Sequence, residues 1–548
     1  MGVTHLLLLP ALLWAGSTTA TPNPISITNP SITSETTPYA NHVFNSIHSS
    51  MRQWGSSLQH NGMTFYLASV PAGTQFYHGT SHADAINGTE WLAFEPEHAM
   101  VFARPHRGPR RDKDDEKEKD GDQGDDKKGL RAREEEEDEE EQPLQSGWLH
   151  TYTAAKELRL LYVDGMAAGK TPNGTLDVED RILFRDGLTD GNMMGERERA
   201  THFCQMAREE WDGRLDGLLR MEAGFEVILC DFGRDLNEER VTMTKPSEPF
   251  AGPGGGKKNK NGKDGDSALW LKAIAARYDG IGGGRVQLNY DHFVSAYTYG
   301  LDLFQNANGT EKYTLPRLTQ FAAEELEGMR ADLVSLIREH EAKEAVFNWQ
   351  AVADMVVERY AKEIRYLASG QLSEQAFRAE VDTALAPFVD YGERDAAQET
   401  ERCAMQFIAR GRLTDRSTAA NAVHSVTRSI CATLVAASQE LDHPTAVAYF
   451  AQLMEYLAWS TWKQCSGCAD HEICVVPIWP MGTVEDYNHP QCRDALHPGS
   501  DGEKYWGGWG PGGRKPPGGD DEPSSSGWGP SLVSFLRAFF GAMLGMNF

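Results

Sequence analysis

The chain has 548 residues, with 53 Lys or Arg against 80 Asp or Glu and a formal net charge of −27. So acidic a surface repels phosphate backbones and anionic lipid, which sets aside nucleic acid as a partner. The length allows about two to four domains.

Residues 1–20, MGVTHLLLLPALLWAGSTTA, carry an apolar run from Leu6 to Trp14, then small residues with Thr18 and Ala20 where a signal peptidase reads. That layout predicts a cleaved signal peptide, and the run is too short to span a bilayer. Export to a secreted or cell-surface address follows. Asn87, Asn173 and Asn308 each open an Asn-Gly-Thr sequon, so N-glycosylation is expected at exposed copies.

Residues 21–104 and 146–245 read as a mixed α/β domain. MTFYLASV (63–70), TQFYHGT (74–80) and EWLAF (90–94) are short β-rich runs. EPEHAMVFAR (95–104) reads as a helix opened by Pro96 with acidic residues in its first turn. Residues 105–145 include RRDKDDEKEKD and REEEEDEEE, an acidic low-complexity insertion too polar to offset the entropy of ordering. Strand-like sequence resumes with LHTYTA (149–154) and LRLLYVDG (158–165), a helix is expected over Glu196–Met221, and FEVILCDF (225–232) reads as a buried strand.

Residues 246–267 are a Gly- and Lys-rich linker expected to be disordered. Residues 268–317 supply a helix, ALWLKAIAARYDG, and a run, RVQLNYDHFV, expected to complete the first domain. Residues 318–498 turn helical. Apolar residues recur every three or four positions in 322–343 and 349–370, and further helices are expected over Ala396–Arg410, Ser417–Leu441 and Pro444–Trp462. The fold class is therefore α+β, a mixed α/β domain followed by a mainly helical, disulfide-bonded one.

Residues 499–530 form a Gly-, Pro- and Trp-rich tail expected to be disordered. Its aromatics Tyr505, Trp506, Trp509 and Trp528 offer contact to glycan or cell wall. Residues 531–548 are apolar, with Leu532, Phe535, Leu536, Phe539 and Met543 on one helical face. Small residues upstream fit a glycolipid-anchor signal, and a docked amphipathic helix fits equally; Arg537 interrupts the tail.

The eight cysteines are an even number, as a fully paired exported chain needs. A bond between Cys204 and Cys230 would staple helix to strand, and one between Cys403 and Cys431 would clamp successive helices. Cys465, Cys468, Cys474 and Cys492 form a compact group whose connectivity the sequence leaves open. Cys465, Cys468 and Cys474 with His471 have the spacing of a zinc set, but an oxidising compartment favours disulfides, so no metal is expected.

The order YHGT, then EWLAF leading into a helix, then a glutamate-bearing strand resembles the ADP-ribosyltransferase superfamily over residues 63–232. That resemblance implies an NAD pocket. His78 and Thr80 would hold the nicotinamide ribose, Trp91 or Phe94 would stack on nicotinamide, and Glu226 would be the catalytic carboxylate. Outside it no cofactor is expected. The second motif of that superfamily is absent in its usual form, and Glu226 does not stand in a Glu-X-Glu pattern. Without the NAD pocket, these residues read as a turn histidine, core aromatics and a strand carboxylate. EWLAFEPEHAMVFAR, GWLHTY, LRLLYVDG and VPIWPMGTVEDY also resemble uncharacterised fungal secreted proteins, which imply no activity.

Overall fold

The computed structural model describes residues 39–59, 61–105, 146–169, 173–188, 195–222, 224–246, 280–304, 315–345, 347–414, 417–478 and 482–494, with Ile274 and Tyr505. The expected leader, charged insertion, Gly/Lys linker, Asn308 and apolar C-terminal segment lie outside the described residues.

Two helices come first, α1 (Ala40–Ser49) and α2 (Gln53–Gln59). Strands β1 (Thr64–Val70), β2 (Gln75–Thr80) and β3 (Glu90–Ala93) follow, then α3 (Pro96–Met100). After the undescribed insertion come β4 (Trp148–Ala154) and β5 (Leu158–Val163). The short helix α4 (Leu176–Val178) runs on into a π turn, Glu179–Leu183. Helix α5 (Glu196–Glu209) precedes β6 (Gly217–Met221), β7 (Phe225–Leu229), the turn helix α6 (Phe232–Asp235), β8 (Leu236–Met243) and β9 (Gln287–Ser295).

These nine strands form one sheet in the order β8-β4-β2-β3-β7-β6-β5-β1-β9, antiparallel throughout except for β5 beside β6. β1, β6 and β7 are buried along their whole length. Central strands covered on both faces lose the polar alternation of a half-solvated strand. The run at 285–294 does join the sheet, as β9 paired to β1.

The expected helix over Glu196–Met221 is half right. It stops at Glu209, and Gly217–Met221 is a central strand. Asp212 and Gly213 both take left-handed φ, 50° and 67°, which ends the helix and turns the chain. The apolar run that follows is too short for periodicity to separate helix from strand.

The second half is helical. It comprises α7 (Glu327–Glu339), α8 (Trp349–Ala368), α9 (Glu374–Leu385), α10 (Ala396–Ala404), α11 (Thr418–Gln439) and α12 (His443–Leu457), then a hairpin β10 (Glu472–Val475) and β11 (Gln491–Asp494) flanking α13 (Val484–Asn488). The side chains of Asn348, Ser373, Asp395, Ser417 and Asp442 accept from backbone N–H groups at the starts of α8 to α12, satisfying donors that a helix start leaves orphaned.

One continuous apolar cluster runs from the sheet into these helices, through Phe44, Tyr66, Tyr162, Trp349, Ile430 and Trp459. α1 is the joint. Its Asn41 and Asn45 side chains donate to the carbonyls of Tyr456 and Leu457, and its Ser46 hydroxyl meets Tyr66 and Asp164 at 2.8 and 2.7 Å. Arg52 makes a two-pronged ion pair with Asp354 of α8, both contacts 2.7 Å. All eight cysteines are paired, as Cys204–Cys230, Cys403–Cys431, Cys465–Cys474 and Cys468–Cys492. The first ties α5 to the end of β7.

Candidate functional site

The expected site residues lie on β2, β3 and β7, which are neighbours in the sheet. Register decides which way each faces. Tyr77 pairs with Ala93 and Ala93 with Glu226, so these three share one face. Trp91, two residues from Ala93, shares it too. His78 and Thr80 alternate onto the opposite face with His150 and Trp148, their partners on β4. Phe94 joins them there in the core, its ring 5.0 Å from that of Phe76. The sheet thus divides the five residues, with Glu226 and Trp91 on one side and His78, Thr80 and Phe94 on the other.

α3 lies close on the Glu226 face. Gly79 permits it: a Cβ there would sit 2.0 Å from the Ala99 carbonyl oxygen. β2 and β3 share a single paired position, Tyr77 with Ala93, and then part. Into that gap the His78 ring turns, its Nδ1 donating to the Trp91 carbonyl at 2.7 Å. Burial lowers the His78 pKa, so the ring is neutral and its Nε2 keeps a lone pair. Around the gap His78, Trp91, His98, Phe102 and Glu226 line a crevice of about 40 Å³. That is room for about one water, against roughly 300–1,000 Å³ for a typical ligand pocket. Thr80 and Phe94 are not among its lining residues.

Glu226 is committed elsewhere. Its carboxylate accepts from Arg220 Nε at 2.8 Å, across the β6–β7 pair. The same guanidinium donates from Nη1 to Glu179 at 2.9 Å and from Nη2 to Glu196, and all four side chains are buried. Burial opposes the Arg220 charge, but attraction to Glu179, Glu196 and Glu226 outweighs it and pushes the pKa up. Burial raises Glu179 to about 7 despite the pull of Arg220. Arg199 adds a second cation, paired to Asp180 at 2.8 Å.

Sequence reasoning missed this cluster because Arg220 fell in a stretch read as helix. Its one signal was an arginine inside the apolar run GLLRM. Also missed was buried His150, held by Glu238 at 2.9 Å and by the His82 carbonyl at 3.1 Å.

A second cavity lies between β9 and the start of α8. It holds about 740 Å³ and is lined by Leu288, Tyr290, Phe347, Arg52, Lys343 and Gln350, among others. Three of its polar side chains pair within the protein. Arg52 binds Asp354, Gln350 donates to the Ser50 carbonyl at 2.8 Å, and Lys343 lies 3.5 Å from Glu157.

Of the expected modification sites, Asn87 is exposed, whereas the Asn173 amide donates to the Tyr505 carbonyl. That carries a correction: Tyr505 is buried, stacked 4.9 Å from the Tyr487 ring, and is not available for glycan contact. Trp506, Trp509 and Trp528 lie outside the described residues. The Cys465, Cys468 and Cys474 sulfurs, expected to be disulfides rather than metal ligands, are bonded as cystines. No helix of the described residues is long and apolar enough to cross a membrane.

No solved structure matches the chain. Two curated relatives from Saccharomyces cerevisiae are similar to it. Uncharacterized protein YPL277C is 34% identical over 218 residues, 38% of this chain and 43% of the relative. Uncharacterized protein YOR389W is 35% identical over 217 residues, 38% of this chain and 34% of the relative. The chain thus covers less than half the length of either relative. Residues 37–251, which span α1 through β8, match the family model described as the YPL277C N-terminal domain.

Proposed function

We propose that the chain serves outside the cytosol as a disulfide-bonded, non-catalytic glycoprotein of the cell surface or wall. The observation that carries this reading is the pairing of all eight cysteines in four disulfides. Such usage suits an oxidising compartment and is rare where thiols are kept reduced. The apolar leader with its small-residue cleavage pattern, and the exposed Asn87 sequon, agree with it. The internal pairing of Arg220, Arg52 and Gln350 supports the non-catalytic part, because these groups hold the fold together rather than wait for a substrate.

The test is to isolate the native protein, block free thiols with an alkylating agent before reduction, and measure intact mass with and without an N-glycosidase. The expected outcome is no alkylation, a start at Thr21, and a glycan lost in Asn87→Gln. A protein that retains Met1, carries no sugar and alkylates at all cysteines would overturn the reading.

A second reading keeps the NAD pocket of the ADP-ribosyltransferase resemblance. It draws on one observation, that His78, Trp91 and Glu226 line the same crevice. It requires α3 to move, because the crevice is far smaller than nicotinamide. NAD titration followed by calorimetry tests it. Saturable binding weakened at least tenfold in His78→Ala, with turnover abolished in Glu226→Gln, would favour it. Identical behaviour of parent and variants would remove it.

A further inference from the structure

We propose that Cys465, Cys468, Cys474 and Cys492 form a tetrathiolate zinc site in the reduced chain, so that one cluster of sulfurs serves as two disulfides or as a metal centre. The inference does not rest on the proposed address. It concerns the state these sulfurs take when a thiol or phosphine reductant opens them.

The geometry is that of a donor set. Cys465 and Cys468 are separated by two residues, and Gly467 between them takes φ +76°, a left-handed turn that glycine adopts without a Cβ penalty. Cys474 and Cys492 stand directly opposite each other in the β10–β11 hairpin, so their side chains leave the same face. They are nevertheless not bonded to each other; each reaches across to one cysteine of the turn. Turn and hairpin therefore bring the four sulfurs into two neighbouring bridges. The Sγ atoms of Cys465, Cys468 and Cys474 lie within 4.8 Å of one another. Cys492 Sγ is bonded to that of Cys468. Tetrahedral zinc with Zn–S near 2.3 Å needs sulfurs about 3.8 Å apart, so Cys492 Sγ, outside that 4.8 Å group, must move in once the S–S bonds open.

A second feature favours negative charge on sulfur. The Cys465 backbone N–H donates to Cys474 Sγ at 3.2 Å, a contact that would stabilise a thiolate there. His471, the fourth ligand that sequence spacing offers, is exposed, whereas Cys492 is tied to Cys468 and half-buried. Cys492 takes its place.

The chemistry balances. Each disulfide accepts two electrons and two protons from the reductant, which is itself oxidised, and yields two thiols. Zinc ion then replaces the four thiol protons, which pass to solvent, to give a dianionic tetrathiolate. Access favours this pair of bridges over the others. All four knot cysteines are half-buried, whereas Cys403, Cys431 and Cys204 are fully buried.

The test uses the full chain under mild phosphine reduction, with alkylation mapping to establish that Cys204–Cys230 and Cys403–Cys431 stay closed. The sample is freed of metal and titrated with cobalt(II), then zinc. The expected result is one equivalent of cobalt with the charge-transfer and d–d bands of a tetrahedral tetrathiolate, displaced by one equivalent of zinc. His471→Ala should bind unchanged, and Cys492→Ser should lose the tetrathiolate spectrum and bind at least a hundredfold more weakly. Circular dichroism establishes that each variant is folded. Absence of stoichiometric binding by the reduced parent would overturn the proposal, as would an unchanged spectrum in Cys492→Ser or its loss in His471→Ala. Counting thiols in the protein as isolated tests the proposed address, and metal titration after reduction tests this site, so either can fail alone.

Discussion

At the scale of single residues, buried charge is the dominant feature. Arg220 holds Glu179, Glu196 and Glu226 in a space closed to water. Removing one partner of such a cluster leaves charges with no solvent to take over. Arg220→Leu should therefore cost about 3–5 kcal/mol, read as a shift in the denaturant midpoint at constant slope. Asp164 makes a different prediction. Burial raises its pKa from 3.8 to about 7, against the opposing pull of the Ser46 hydroxyl and the Thr64 N–H. The folded state then holds a proton that the unfolded chain releases near pH 4. This contribution is fully present below pH 4 and is lost as pH rises toward 7. The stability difference between the parent and Asp164→Asn should fall over that window and level off above it. A difference that stays constant from pH 4 to 8 would mean that Asp164 is ionised in the fold.

Between elements, close backbone approach and covalent ties set the geometry. α3 rests on β2 because Gly79 has no side chain, and a methyl there would meet the backbone of Ala99 and Ala103 at 2.0 and 2.7 Å. Neither is a flexible tip that can swing aside. Gly79→Ala should cost about 1–3 kcal/mol and open the β2–α3 contact, measured by faster hydrogen exchange in α3. The Cys204–Cys230 bridge ties α5 over the strand carrying Glu226. Replacing both cysteines with serine should lower stability by about 2–4 kcal/mol while leaving metal binding by the reduced knot unchanged.

Across the whole molecule, one apolar cluster joins sheet and helices, with α1 wedged between them. Shared burial of this kind couples the two halves. Calorimetry should show a single transition, with calorimetric and van't Hoff enthalpies in agreement. Two separated peaks would show that the sheet and the helices melt independently. Arg52→Ala, which removes the two-pronged pair with Asp354, should lower that transition without splitting it.

Most of the local structure was legible in consecutive side chains. β-branched and aromatic runs marked β1 through β5, β7 and β9, and apolar periodicity marked α7, α8, α11 and α12. Both are short-range signals carried by consecutive side chains. Legibility failed where the signal is weak or ambiguous. α1 and α9 lie in mixed, polar stretches, β8 is a largely exposed polar edge strand, and β6 is an apolar run too short to show its period. Placement on successive elements suggested Cys204–Cys230 and Cys403–Cys431, but the connectivity of Cys465, Cys468, Cys474 and Cys492 depends on where the turn and the hairpin come to rest. The tertiary structure alone put Glu226 and His78 on opposite faces, since strand register is a relation between segments that no single stretch encodes. The same holds for Arg220, whose three carboxylate partners come from a π turn, a helix and a neighbouring strand.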